Sequence, residues 1–354
     1  MGNVKHVVVA MSGGVDSSVA GYLLLKQGMS VDGVFFILFD DPPTMNFAKE
    51  VAKFLGIKLH IEDLRKDFRE KVIEPFFIGY KKGITPNPCI LCNKYIKFPA
   101  LKCLADKLNA KWFATGHYAR IVRQAGQAIL LKGIDKNKDQ SYFLYAIKRK
   151  LLQQLVFPLG EYTKDEVKKI ADEAGIRAKT SEESVEVCFL REKRYYELIK
   201  GASHGPIIEK STGKIVGQHR GIHLFTIGQR KRIGVSFGYP AYVVHIDPTI
   251  NAVYVASRKE ACWKEIFVED INWLYDPEGE SFECDIKLRY AMNPEKAVVS
   301  IINNKAKVVF YKPQFAPAPG QSAVFYRDDM VLGGGIIMEK ERYSEVPRSH
   351  QSQQ

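Results

Sequence analysis

The chain has 354 residues, 46% of them hydrophobic, enough to bury a sizeable core and to divide into two or three domains. Its 52 Lys and Arg against 40 Asp and Glu give a net charge of +12, so the expected partner is a polyanion, and nucleic acid ranks ahead of a membrane because no amphipathic anchor is present. No secretory pattern opens the sequence and no apolar run has membrane length, which points to the cytoplasm and leaves the six cysteines without a disulfide framework to serve.

In chain order, "KHVVVAM", "VDGVFFILF", "IKLHIEDL" and "KWFATGHY" read as buried strands. Between them "SSVAGYLLLKQG", "NFAKEVAKFLG" and "ALKCLADKLN" carry apolar residues at helical spacing. That alternation predicts an α/β domain over residues 1–196 with a doubly wound, mostly parallel sheet. A further helix is marked at "EYTKDEVKKIADEAG": Thr163 and Glu166 form a capping box, Val167, Ile170, Ala171 and Ala174 share a face, and Gly175 ends it. Beyond residue 196 helical periodicity fades. Short β-rich runs ("AYVVHID", "AVYVASR", "FECDIKLRY", "AVVSII", "KVVFY", "QSAVFY", "LGGGIIM") predict a small middle domain over 197–268 and an all-β terminal domain, a barrel or antiparallel sheet, over 269–354. The polar tail "VPRSHQSQQ" has the composition of a disordered segment.

The segment "VVVAMSGGVDSSVA" is a strand, a glycine turn and a helix start. Gly13 and Gly14 let the backbone approach a phosphate, and the hydroxyls of Ser12, Ser17 and Ser18 stand beside the positive end of the helix. The loop lacks the lysine of a Walker A motif and the spacing of a dinucleotide fingerprint, so neither γ-phosphate transfer nor hydride transfer is indicated. Asp16 suits a Mg²⁺ ligand beside bound phosphates. "SGGVDSS" resembles the PP-loop of ATP pyrophosphatases, and that resemblance implies ATP cleavage between the α and β phosphates with AMP placed on an acceptor oxygen.

Cys89 and Cys92 lie three apart in "NPCILCNKYIKF", and Cys188 in "SVEVCFLREKRYYE" is their candidate partner. No His or Cys spacing completes a zinc-finger pattern. Cys103, Cys262 and Cys284 read as partly buried filler. Lys94 and Lys97 could lower the pKa of Cys92.

Taken together, "MSGGVDSSVA", "TPNPCILCNKYIKF", "ATGHYAR", "NKDQSYFLY", "VCFLRE", "TIGQRKRIGV", "LRY" and "PGQSAVFY…LGGGII" resemble, in order and spacing and over nearly the whole chain, the bacterial and organellar tRNA-specific 2-thiouridylases. The resemblance implies ATP-dependent thiolation at carbon 2 of the wobble uridine of tRNAs for Lys, Glu and Gln through an adenylated base. It places ATP at Ala10, Met11, Ser12, Gly13, Gly14, Val15, Asp16, Ser17, Phe36 and Gly116. It makes Cys188 a persulfide carrier and Cys92 the nucleophile that pairs with it, with Asn87, Pro88 and Cys89 beside a flipped-out base. Many relatives carry aspartate where this chain has Cys89. Cys89, Cys92 and Cys188 are therefore a three-thiolate set that could instead hold a [4Fe-4S] cluster with one open iron, and the two sulfur routes stand level on sequence. An upstream protein or sulfide would supply the sulfur.

The same resemblance assigns tRNA contacts to His117, Lys138, Asp139, Gln140, Arg289, Tyr290 and Gln321. "IGQRKRIG" and "AIKRKLL" add phosphate-neutralising charge. Two rival readings are a PP-loop amidotransferase or ligase and an inactive RNA-binding module. The paired cysteine blocks and the missing glutaminase-like domain oppose the first, and the intact loop with all three cysteines opposes the second.

Overall fold

The computed structural model describes residues 5–40, 42–178, 187–190, 196, 199, 201, 203–235 and 237–345. The tail singled out above, 346–354, lies outside them. The chain forms two compact units: Met1–Val72 with Cys89–Phe189 and Asp328–Val331, and Ile73–Pro88 with Leu190–Arg327 and Leu332–Gln354.

The first unit begins with β1 (His6–Ala10), α1 (Val15–Lys26), β2 (Ser30–Ile37), α2 (Pro42–Leu55), β3 (Lys58–Asp63) and α3 (Arg65–Phe68). In the second unit α4 (Glu74–Lys81) leads to Pro88, the first residue of α5 (Pro88–Cys92), and from Cys89 the chain is again part of the first. There follow α6 (Phe98–Lys107), β4 (Trp112–Ala114), a hairpin of β5 (Ala119–Gln124) and β6 (Gln127–Lys132), β7 (Leu155–Val156) and α7 (Lys164–Glu173).

The sheet runs β3-β2-β1-β4-β7 and is parallel at every pairing. Val7 and Val9 of β1 are fully buried in one core with Val19 and Leu24 of α1, Val51 of α2 and Val167 of α7. Strand order reverses between β1 and β4, so their carboxyl ends open the crevice in which such sheets bind ligands. The predicted α/β class is borne out, and the capping box is present: Thr163 N–H donates to Glu166 Oε2 at 2.7 Å, and Glu166 N–H donates to Thr163 Oγ1 at 3.3 Å.

At the sheet's other end Asp32 draws in two histidines, with His6 Nε2 2.7 Å and His60 Nε2 2.9 Å from its oxygens. Burial alone would raise this carboxyl, but the hydrogen bonds of His60 and then His6 hold it below the usual carboxylate range. A depressed carboxylate stabilises the fold above its unfolded pKa of about 4, and that contribution disappears as pH falls through the lower folded value. Urea titrations should therefore find Asp32→Asn weaker by about 1–2 kcal/mol at pH 7, with the gap closing as pH falls through the carboxyl's lowered folded value. A gap that persists at acid pH would refute the carboxylate's role.

In the second unit β8 (Gly205–Glu209), β9 (Ile215–His219), β10 (Ala241–Asp247) and β11 (Ala252–Ser257) form a four-stranded sheet in the order β10-β11-β8-β9. Next come β12 (Cys262–Trp273), β13 (Ser281–Lys287), β14 (Glu295–Ile302), β15 (Lys305–Phe315), β16 (Ser322–Arg327) and β17 (Met330–Ile337). They run β12-β15-β14-β13-β16-β17, and β17 pairs back onto β12 to close a six-stranded barrel. Closure leaves no open edge for stray pairing. The "NP" loop after α4 is held to this unit: Thr85 N–H donates to Pro319 O at 3.1 Å, and Gln321 Nε2 donates to Thr85 O at 3.0 Å.

Candidate active site and RNA-contact residues

The turn after β1 is shaped by glycine. Gly13 has φ +77°, and a Cβ there would lie 2.6 Å from Thr44 O at the start of α2. Gly14 is the N-cap of α1 and offers no side-chain hydrogen bond, so the helix end keeps its N–H groups and positive pole for an anion. Met11 is buried, and its N–H donates to Val34 O at 2.8 Å, which ties the loop to β2.

The serines divide the work differently from the sequence expectation. Ser18 is fully buried and donates to Gly14 O at 2.8 Å; Ser17 donates to the same carbonyl at 3.0 Å and stands 3.1 Å from Ser12 Oγ. Those two hydroxyls hold the turn, and Ser12 is the exposed one. Gly116, after β4, lies flush against this loop, where a Cβ would come within 2.9 Å of Ser17 N. Phe36 is half-buried on β2 opposite Glu62 of β3. A backbone cradle, an uncapped helix N-terminus and one exposed hydroxyl fit the phosphates of ATP.

Asp16 departs from its expected role as a Mg²⁺ ligand. Lys164 Nζ lies 2.7 and 2.8 Å from its two oxygens, and Tyr118 Oη donates to Oδ1 at 2.8 Å. With both oxygens taken, this carboxylate does not fit the ion as it stands.

The sulfur site is built from two stretches of the first unit. Cys89 and Cys92 lie on α5, which continues through a π-helical turn at Asn93–Lys97 into α6. Asn93 fixes that turn by donating from Nδ2 to Phe143 O at 3.0 Å, while its buried Oδ1 has no partner. Cys188 comes from the other stretch, where the neighbouring Phe189 ring meets Phe68 edge-on at 5.8 Å. The structure brings the three thiols close enough to feel one another: burial first, then the charges of Cys89 and Cys92, push Cys188 up to about 12. Burial also raises Cys89 and Cys92, and at all three Lys97 pulls the other way. Cys89 and Cys188 are nonetheless exposed, whereas Cys92 is buried.

Of the two lysines expected to act on Cys92, only Lys97 does; the Lys94 ammonium lies 5.1 Å from the centre of the Tyr95 ring. Lys97 has a second effect. Burial first and then this cation hold His117 well below the usual imidazole range, so the ring is neutral at pH 7. His117 is stacked on Phe98 at 5.9 Å, with Nδ1 2.7 Å from Thr115 Oγ1. Removing the cation should raise the thiol pKa values. In Lys97→Met, the pH profile for alkylation of Cys89 and Cys188, read by peptide mass spectrometry, should therefore shift toward higher pH. An unmoved profile would show that Lys97 does not set their reactivity.

Among the described residues no three His, Cys, Asp or Glu side chains are grouped to hold a metal ion. Cys89, Cys92 and Cys188 form no such group as they stand.

The expected RNA contacts fall into two sets. In the first unit Asp139 is 7% exposed and takes hydrogen bonds from Gly133 N–H, Ser141 N–H and Ser141 Oγ at 2.9–3.1 Å. It orders its own loop. Gln140 clamps Tyr118, accepting from its N–H at 3.0 Å and donating to its carbonyl at 2.8 Å. Lys138 is half-buried on the same loop. In the second unit Arg289 donates from Nη2 to Ala316 O at 2.7 Å and Ile227 O at 2.9 Å, which ties the segment after β13 to the end of β15 and to the loop before β10. Gln321 is tied to Thr85, so of this set Tyr290 is the exposed one, with Lys287 Nζ 5.3 Å from its ring centre. Asn87 is half-buried on the loop before α5, and Pro88, the first residue of that helix, is buried.

Three family models cover the chain: the tRNA methyl transferase HUP domain over residues 5–192, the tRNA methyl transferase PRC-barrel domain over 194–257, and the aminomethyltransferase beta-barrel domain over 263–337. The chain is 40% identical over 346 residues to the tRNA-specific 2-thiouridylase MnmA of Syntrophotalea carbinolica, covering 94% of this chain and 98% of that one. It is 41% identical over 359 residues to the protein of the same name from Carboxydothermus hydrogenoformans, covering 95% and 98%. The chain belongs to the tRNA-specific 2-thiouridylase family. The fold expected from the resemblance, a PP-loop sheet followed by a small domain and a terminal barrel, is the fold of this 2-thiouridylase family member. Among the described residues no helix is long and apolar enough to cross a membrane.

Lys97 and Lys164 are the site residues that sequence pattern left without a full role. The first was visible as a basic residue beside a cysteine; the second gave no local signal.

Proposed function

We propose that this chain is an ATP-dependent tRNA-uridine 2-sulfurtransferase that converts the wobble uridine (position 34) of tRNAs for Lys, Glu and Gln to 2-thiouridine. The observation that carries this reading is the presence, within one compact unit, of a phosphate cradle at the sheet's switch point and three thiols drawn from two stretches around one cation.

ATP, bound with Mg²⁺ on its phosphates, supplies an adenylyl group to the base. The chain's own residues orient it: the Gly13–Gly14 backbone and the α1 terminus receive the phosphates, and Phe36 and Gly116 line the approach. The O2 atom of uridine bonds to the α-phosphorus and pyrophosphate leaves, which turns a poor leaving group into AMP. Cys188 carries the incoming sulfur as a persulfide loaded by an upstream donor. Its outer sulfur bonds to carbon 2, and AMP departs with the oxygen. The Cys92 thiolate then attacks Cys188 Sγ, releasing the thiocarbonyl and leaving a Cys92–Cys188 disulfide that a thiol reductant must reopen. Cys89 stands where relatives place a carboxylate and would act as a thiol beside the base. Basic surface and the exposed Tyr290 suit the anticodon arm, whose unpaired bases stack on aromatic rings.

The test mixes ATP, unmodified tRNA and radiolabelled persulfide donor, and measures label in position 34 together with pyrophosphate. Label that requires ATP, with pyrophosphate released only when tRNA is present, is the expected result. Label without ATP would overturn the adenylation step. Stoichiometric iron with broad visible absorbance in anaerobically purified protein, lost in Cys89→Ser, would replace the persulfide by cluster-bound sulfide.

A further inference from the structure

The phosphate loop raises an electrostatic problem that its sequence does not solve. "SGGVDSS" brings a carboxylate, Asp16, into the first turn of α1, where it faces any anion bound at the helix end, and it brings no cation. Lys164 supplies one from 148 residues away, with Nζ 2.7 and 2.8 Å from both Asp16 oxygens and 5.8 Å from the centre of the Tyr118 ring.

Its position is fixed on several sides. Lys164 opens α7, and its backbone N–H donates to Asp135 Oδ2 at 2.9 Å; the preceding Thr163 is locked by the capping box. Tyr118, which donates to Asp16 at 2.8 Å, is clamped through its own backbone by Gln140. The Lys164 side chain is 17% exposed, so it is not sealed from solvent. An ammonium has three donors, and a carboxylate that takes two leaves one for a phosphate oxygen.

We propose that Lys164 is the cation of the nucleotide site, neutralising Asp16 and binding the β- and γ-phosphates that leave as pyrophosphate, in the place a Walker A lysine occupies on its own loop. This rests on the reading of the loop as an ATP site. It assigns Lys164 to the diphosphate part of the ligand and not to the adenosine or the α-phosphate. Asp16 and Tyr118 act as positioning residues for that ammonium.

The test is equilibrium binding by calorimetry of ATP, inorganic pyrophosphate and AMP to the full chain and to Lys164→Met and Lys164→Arg, each checked for an unchanged thermal melt. Lys164→Met should bind ATP and pyrophosphate about tenfold or more weakly, with AMP changed less than twofold, and Lys164→Arg should stay within about threefold of the unmodified chain. On the unmodified chain, pyrophosphate should slow acetylation of Lys164, read by peptide mass spectrometry, and AMP should not; this measurement stands even if Lys164→Met fails to fold. Equal loss of AMP and ATP affinity, or full affinity for pyrophosphate in Lys164→Met, overturns the proposal. An unmodified chain that binds no ATP at all overturns the nucleotide reading instead.

Discussion

Cys188→Ser should reduce sulfur incorporation into tRNA to background, a loss on the order of 10³-fold or more, while tRNA-dependent pyrophosphate release continues. The two readouts separate because the thiol that carries sulfur takes no part in forming the adenylate. Cys92→Ser should stop turnover at a later point. Sulfur already bonded to carbon 2 would still be joined to Cys188 Sγ, since a serine hydroxyl does not attack a disulfide sulfur at neutral pH. A protein–tRNA adduct that dithiothreitol cleaves should therefore accumulate in Cys92→Ser and not in Cys188→Ser. Cys284→Ala is the control: that thiol is buried in the barrel wall and pushed up to about 12, mainly by burial, which leaves it inert. Normal thiolation in Cys188→Ser would remove the persulfide route.

Which parts of this site could be read from sequence follows from how far apart the interacting groups lie. Thr163 and Glu166 are one helical turn apart, so their capping box is a local pattern and was legible. Lys164, the next residue, was not, because its partner lies on another helix far along the chain. Asp139 shows the converse failure. In "NKDQSYF" it has the polar look of a contact residue, yet its carboxylate closes the turn back to Gly133.

The same distinction holds for the fold. Alternating runs such as "AYVVHID" and "KVVFY" became β10 and part of β15 as expected. β12 carries no clean strand signature in the sequence, because bulges near Trp263 and Glu269 break its alternation and Asp270 sits at φ 52°. The β5–β6 hairpin turns on Ala125 and Gly126, both at positive φ, without the Asn-Gly or Asp-Gly pair that usually announces such a turn.

Gly116→Ala should lower ATP affinity by about 100-fold while leaving the thiols as reactive as before. The added Cβ would stand 2.9 Å from Asp16 C and Ser17 N and 3.0 Å from Asp16 O, all of them backbone atoms. Backbone at a helix start cannot swing aside as a side-chain tip can. Either the α1 terminus moves away from β4 or the turn after β4 does, and each displaces the phosphate donors from the crevice. Overpacking of this kind costs about 1–3 kcal/mol of stability, which a chain with this much buried core survives folded. Gly126→Ala separates strain from collision: its φ of +76° disfavours a side chain, but nothing lies within 4 Å of the new methyl. It should lose about 1 kcal/mol and keep full ATP affinity. Unimpaired ATP binding by a folded Gly116→Ala chain would mean that the nucleotide does not sit on the turn that Gly116 supports, and the adenylation chemistry would then need another home in the molecule.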